Sequence, residues 1–403
     1  MKKEKLIIIF TVLVDVIGFG IVIPILPFYA TEMGASPAIV TFLFASYSLF
    51  AFFSSPLLGA VSDKIGRRPV LILSITSTAI GWFVFAGAPS ILFLFLGRFI
   101  DGAAAGNFSI AQSYLVDISE SEEERTVNLG LIGAMFGIGF LLGPILGGVL
   151  AKISHAAPFW FAGGLATTNA IMAYFFLPET HKARDTKREL RLNPLLPLRR
   201  AAQDRELRPL YATWVMFGLA NITSQTVFSL FVSKEFGFDA FVTGLTFTGM
   251  GVIVAINQGV LLKRLWLKKF TEPMLEKIML WALIIGLGLF VTKSLTLFLI
   301  ATLFIGTGQS VFRVVLTSQV AGAADPESKG EKLGMLSSLM SLCMVVGPTI
   351  SGPLFEVNDT LPYYLAGVYL FVALALSLFL KRTQRSSENL ASDAPVSIPE
   401  EVQ

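Results

Sequence analysis

Twelve stretches of this chain are each long and apolar enough to cross a lipid bilayer, and no other feature limits its fold as strongly. They run over 6–29, 38–61, 69–88, 91–116, 127–151 and 158–177, then 209–232, 241–262, 274–293, 295–320, 331–354 and 361–380. Inside hydrocarbon every backbone N–H and C=O must be paired within the protein, so only helices and closed barrels span it. A barrel strand needs about 10 residues and a helix about 20; the stretches here have the helical length. Charged residues make up 15% of the chain, against roughly 25% in soluble domains, which agrees with lipid as the solvent. The expected fold is an all-α membrane protein of twelve transmembrane helices.

The N-terminus, with lysines ahead of an apolar run, has the outline of a signal peptide. The run instead continues through Asp15, Pro24 and Pro27 to Tyr29 without a small-residue cleavage site, and reads as the first span. Cys343 is the one cysteine, so no internal disulfide can form. His155 and His181 both fall in polar stretches, which leaves no histidine for a metal or catalytic centre inside the membrane. No cofactor, metal or nucleic-acid partner is expected.

Lys and Arg fix the orientation. Lys2, Lys3, Lys5, Lys64, Arg67, Arg68 and Arg125 fall on one side, with the basic residues of 178–208, Lys263 to Lys277, Lys329, Lys332 and Lys381 to Arg385. The other side holds Lys152, Lys234 and Lys293. By the positive-inside rule the crowded side is cytoplasmic, so the chain is multi-pass in a plasma membrane with both termini inside the cell. An even number of spans keeps these charges together; an odd number would scatter them.

The chain also repeats itself. The run from Val116 aligns without gaps to the run from Val320, so that Leu129-Gly130 meets Leu333-Gly334 and Gly143-Pro144 meets Gly347-Pro348. Residues 1–177 and 209–380 therefore read as two six-helix halves in the same orientation, joined by a cytoplasmic linker at 178–208 and followed by a polar, disordered tail at 381–403. Parallel halves of this kind are one plan of secondary transporters that rock around a central site.

Three groups of residues stand out. The loop Gly59 to Pro69 combines a turn at Gly66 with Asp63, Lys64, Arg67 and Arg68; topology alone needs neither the Asp nor this glycine spacing. Span five carries Gly139, Gly143 and Gly147 at intervals of four, with Pro144 and Gly148, a face that lets helices approach closely. Span one holds Asp15, and span four holds Arg98 and Asp101. At 1.5 Å per residue both carboxyls lie near mid-membrane, where a charge costs roughly 2.5–3.5 kcal/mol or more and needs a cavity or a partner. Arg98 and Asp101 are three apart and can pair. A role in transport and a purely structural bridge between spans one and four are both open. Asn107, Gln112, Asn221, Gln225, Asn257, Gln258 and Gln309 line a cavity or bond between helices.

Gly59-x-x-x-Asp63-x-x-Gly66-Arg67-Arg68 resembles the loop signature of the major facilitator superfamily. The resemblance implies that Asp63 meets the N-terminus of span eleven, near Gly330 and Glu331, in the outward-facing state, as a latch with Arg67 and Asp117 as charge partners. The pattern Gly143-Pro144-x-x-Gly147-Gly148 resembles that of the superfamily's drug:proton antiporters. Asp15-x-x-Gly18, with Pro24 and Pro27, and Arg98-x-x-x-Gly102 resemble its proton-coupling motifs. The first half looks most similar to bacterial tetracycline efflux proteins. It departs from them with Gly81-Trp82 where they carry an acidic residue in span three, and it lacks their histidine in span eight. As a whole the resemblance implies proton-coupled efflux of drugs or small amphipathic metabolites. The partners would be a small-molecule substrate, protons and the bilayer, and the chain would be a monomer. Proton symport and a membrane receptor are the alternatives. No nucleophile and base are placed for an intramembrane enzyme.

Overall fold

The computed structural model describes residues 3–180, 195–325 and 328–379. The expected tail and the stretch 181–194 of the linker lie outside the described residues.

The first six spans are Lys3–Glu32, Pro37–Ile65, Arg67–Ala86, Ile91–Asp117, Glu122–Ala151 and Ala157–Phe176. The second six are Arg208–Phe236, Ala240–Lys269, Glu272–Phe290, Leu295–Ala323, Lys329–Val357 and Leu361–Phe379. No strand occurs among the described residues. Eleven of these helices are apolar enough by themselves to cross a membrane. Span six is less apolar because its middle carries Thr167, Thr168 and Asn169. Asn169 is nevertheless fully buried, accepting a hydrogen bond from Thr11 of span one at 3.0 Å.

The helix starts follow from local chemistry. Ser36, Ser121 and Asp239 cap spans two, five and eight by accepting from backbone N–H groups inside the first turn. Three glutamates follow Ser121, where the helix dipole favours negative charge. Pro158, Pro209 and Pro273 sit in the opening turns of spans six, seven and nine, where their missing N–H costs nothing. Span seven ends on Gly237 at φ +66°.

Two spans depart from the sequence reading. Span four is interrupted over residues 104–106, giving Ile91–Ala103 and Asn107–Asp117. The carbonyls of Ile100 and Gly102, freed by the break, accept from Ser77 at 2.7 Å and Ser54 at 2.6 Å. Span eight runs on to Lys269 because Asn257–Trp266 winds as a π-helix. The Asn257 side chain pins that stretch, donating to Ile253 and Thr307 and accepting from Trp266 Nε1 at 3.0 Å.

Span one is apolar all round and buried along its length, as a central helix must be. It packs on span five through glycine. A β-carbon on Gly139 would strike Val16, and one on Gly147 would lie 3.0 Å from Ile25. Buried apolar side chains form three clusters. Two are built from residues 7–177 with Ala240, and the third from residues 201–374.

Candidate functional site

Gly81 and Gly97 allow spans three and four to meet backbone to backbone. A β-carbon on Gly97 would lie 2.9 Å from the Gly81 carbonyl, and one on Gly81 would lie 2.9 Å from Cβ of Asp101. This approach buries Arg98 and Asp101, at 4% and 6% exposure. The span-four break then turns Asn107 toward span one. Its Nδ2 donates to Asp15 Oδ1 at 3.0 Å and to Thr78 Oγ1 at 3.1 Å. Asp15 is only half-buried, so one face of the group is open. Spans one, three and four thus assemble Asp15, Thr78, Arg98, Asp101 and Asn107 around the interruption.

Arg98 and Asp101 do not form the direct ion pair that their spacing allows. The guanidinium carbon stands instead 4.6 Å from the ring centroids of Trp82 and Phe85 and 5.7 Å from that of Tyr47. Trp82 belongs to the Gly81-Trp82 pair singled out in the sequence. Of the other polar candidates, Asn257 belongs to the π-helical pin and Gln258 donates weakly to the Ser310 carbonyl at 3.4 Å. Gln112, Asn221, Gln225 and Gln309 are half-buried.

The loop after span two is a second charged assembly. Arg67 is buried and binds Asp63, Asp117 Oδ2 at 3.1 Å and Ser62 Oγ at 2.7 Å. Glu179, at the start of the linker, accepts from the backbone N–H of Arg67 at 2.9 Å and of Arg68 at 3.2 Å. It therefore caps span three from outside. Gly66 has φ +114°, and a β-carbon there would run into the Glu179 carboxylate. Arg68 donates to the Tyr174 carbonyl at 2.6 Å, which ties the loop to the end of span six.

Glu331 lies at the N-terminus of span eleven, where the loop signature implies that Asp63 docks in the outward-facing state. It binds Arg200 at 2.6 Å, on a short helix Leu196–Gln203 in the linker. Next to it, Lys332 binds Asp204, which also accepts from the N–H groups of Glu206 and Leu207 in the turn ahead of span seven. Burial alone would raise the Asp204 carboxyl. The bonds from Lys332, Leu207 and Glu206 outweigh it and hold the group below the usual carboxylate range. Glu276, inconspicuous in the sequence, is fully buried near the start of span nine and accepts from Gln319 at 3.0 Å.

The two ends of the bundle differ. At the end opposite the basic loops, spans five and eight touch. A β-carbon on Gly148 would lie 3.1 Å from Phe241 Cα, and one on Gly244 would lie 2.5 Å from the Pro144 carbonyl. Spans two and eleven touch there as well, where Gly352 faces Thr41, Ala38 and Pro37 and the Ala38 N–H donates to Glu356 at 3.0 Å. At the basic end a β-carbon on Gly130, Gly133, Gly137, Gly330 or Gly334 would meet nothing within 4 Å. The close glycine contacts of span two with span eleven and of span five with span eight thus lie at the end opposite the basic loops.

The sequence model of the Major Facilitator Superfamily matches residues 8–275 and 274–400. The chain is 31% identical over 360 residues to "Tetracycline resistance protein, class C" of Escherichia coli, covering 87% of this chain and 89% of that protein. It is 27% identical over 369 residues to "Quinolone resistance protein NorA" of Staphylococcus aureus, covering 91% and 93%. The fold matches the crystal structure of a bacterial homologue of the human lysosomal transporter Spinster with a TM-score of 0.77 at 14% identity, over 93% of this chain and 95% of that one.

Proposed function

This chain belongs to the Major Facilitator Superfamily, and we propose that it exports drugs or other small amphipathic compounds in exchange for protons. It is a multi-pass membrane transporter and not an enzyme. Similarity to proteins named for tetracycline and quinolone resistance supports export. The observation that carries proton coupling is the bridge from Asn107 to Asp15, beside buried Asp101, at a break in span four. It holds two carboxyls near mid-membrane with one face open, and neither is tied up in a direct salt bridge among the described residues.

In this reading the basic end faces the cytoplasm and the closed end faces outward, so the conformation is inward-facing. Residues 1–177 and 209–380 rock as two halves about Asp15 and Asp101. The proton enters from outside, is held on these carboxyls and leaves to the cytoplasm. A substrate that competes for the same groups is carried out. Asp63, Arg67 and Asp117 with Gly59, Gly66 and Arg68 form the latch that closes the basic end. Until then Asp63 is held by Arg67 in its own loop, and Glu331 by Arg200. Membrane potential contributes roughly 2.3 kcal/mol per charge per 100 mV to such a cycle.

The test is flux into inverted vesicles with an imposed pH gradient, run over a panel of amphipathic cations and zwitterions. Wild type should concentrate at least one compound, and the double variant Asp15→Asn/Asp101→Asn should concentrate none. A double variant that still concentrates substrate in response to the gradient refutes the assignment. Movement of substrate in the same direction as the proton would establish symport instead.

A further inference from the structure

The Arg98 guanidinium is enclosed by rings. Trp82 and Phe85 of span three lie on it at 4.6 Å each, and Tyr47 of span two closes a third side at 5.7 Å. Trp82 is 5% exposed, Phe85 is fully buried, and Arg98 Nε is buried without an acceptor among the described residues. A desolvated cation is attracted to an aromatic face by the ring's quadrupole, so these rings offer Arg98 a resting place that competes with a carboxylate.

The rings are held in place. Trp82 stacks on Phe159 at 6.0 Å with the planes 11° apart, and Phe85 packs edge-on to Phe159 at 4.8 Å. Tyr29 anchors this set by donating to the Ala86 carbonyl at 2.9 Å. On the far side the Trp82 ring rests on Gly18, where a β-carbon would lie 3.1 Å from Cζ2. Gly18 is one turn from Asp15. The titratable groups facing this patch are Asp15 and Tyr29 from span one, Tyr47 from span two and Asp101 from span four; span three contributes none.

We infer that Trp82, with Phe85 and Tyr47, forms a seat that takes the Arg98 guanidinium out of reach of Asp101 and Asp15, and that Trp82 thereby sets how tightly these carboxyls hold a proton. The inference deepens the proposed proton exchange and rests on that reading. With Arg98 seated, no direct ion pair favours the ionised carboxyls and they take up a proton from solvent. With Arg98 released toward Asp101 the ionised form is favoured and the proton leaves. Trp82 is a positioning residue, acting through Arg98.

The experiment reads the carboxyls directly. The infrared C=O band of protonated carboxyl is titrated in the purified full-length protein in lipid nanodiscs, and Asp101→Asn assigns it. Trp82→Leu removes the ring face and should move the midpoint to lower pH by about one unit, a tenfold loss of proton affinity. Trp82→Phe keeps a face and should stay close to wild type. An unchanged midpoint in Trp82→Leu overturns the inference. So does an equal shift in Trp82→Phe, which would make the indole shape and not its π face responsible. So does the absence of any titrating band that Asp101→Asn removes. If Trp82→Leu fails to fold, Tyr47→Leu at the half-buried third side should give a smaller shift of the same sign, and no shift there overturns the inference too. Wild-type vesicles lacking pH-driven flux would refute the proposed function, while the band titration reads the seat independently of flux.

Discussion

Gly143 of span five and Gly20 of span one meet so closely that a β-carbon on Gly143 would lie 2.8 Å from Cα of Gly20. Side chains have no room at this crossing. Gly143→Leu should therefore push the spans apart, at a cost of about 1–3 kcal/mol. Because Pro144 and Gly148 of the same helix carry the closed end against span eight, that closure should loosen. Preloaded vesicles bearing the variant should leak substrate down its gradient, and tight coupling would contradict the expectation.

Asp63→Asn should leave expression and thermal stability near wild type, because Arg67 keeps Asp117 and Ser62 as partners. Transport should slow severely, since the latch for the other state would lose its charge. Cysteine cross-linking between the ends of spans two and eleven should show the basic end closing less often. Normal flux would remove Asp63 from the cycle.

The turn at Gly66 should be sensitive to a single methyl group. Gly66→Ala places a β-carbon against Glu179 in a backbone region that side chains avoid, costing roughly 1–3 kcal/mol. Glu179→Gln keeps the cap but removes its charge, and should cost about 0.3–1 kcal/mol. The ranking can be read from thermal unfolding in detergent, and a milder effect for Gly66→Ala than for Glu179→Gln would count against this account.

Asp359, between spans eleven and twelve, binds Lys234 at 2.8 Å and Lys293 at 3.1 Å, and Lys293 also binds Glu235 at 2.7 Å. Burial would raise Asp359, but the bonds from Lys234 and Lys293 prevail and hold it below its ordinary 3.8. The Glu235 bond and the nearby Asp359 raise Lys293 above its ordinary 10.5. A depressed carboxyl contributes stability above its unfolded value that is lost as pH falls through the folded one. A raised amine contributes below its unfolded value and is lost as pH rises through the folded one. The difference in melting temperature between wild type and Asp359→Asn should therefore be level from about pH 5 to pH 10 and shrink below about pH 4. A difference that persists undiminished in acid would show that packing, not charge, is responsible.

The spans are legible in the sequence because lipid demands long apolar runs, and charge placement sorts their ends. The interruption in span four is not, because Ala103, Ala104, Ala105 and Gly106 are apolar and leave hydropathy unbroken. Its signature lies in the serines that receive the freed carbonyls, and they come from other spans. Asp15, Arg98, Asp101 and Asn107 each stand out as polar groups in apolar surroundings. The seat for Arg98 does not, since its rings come from spans two and three and meet the guanidinium of span four only in the fold. Glu179 and Glu276 each border a charged loop, where a carboxylate attracts no attention until the fold shows what it touches.

The two ends of the bundle close by different forces. Gly148, Gly244 and Gly352 bring backbone against backbone, whereas the ties at the basic end run through Arg67, Asp117, Arg200 and Glu331. Dissolved ions screen exposed charges within about 10 Å at 0.1 M but do not reach a dry glycine contact. Ionic strength thus acts more strongly on the basic end than on the glycine contacts at the other. Raising it should loosen the exposed tie between Arg200 and Glu331 while leaving the glycine contacts unchanged.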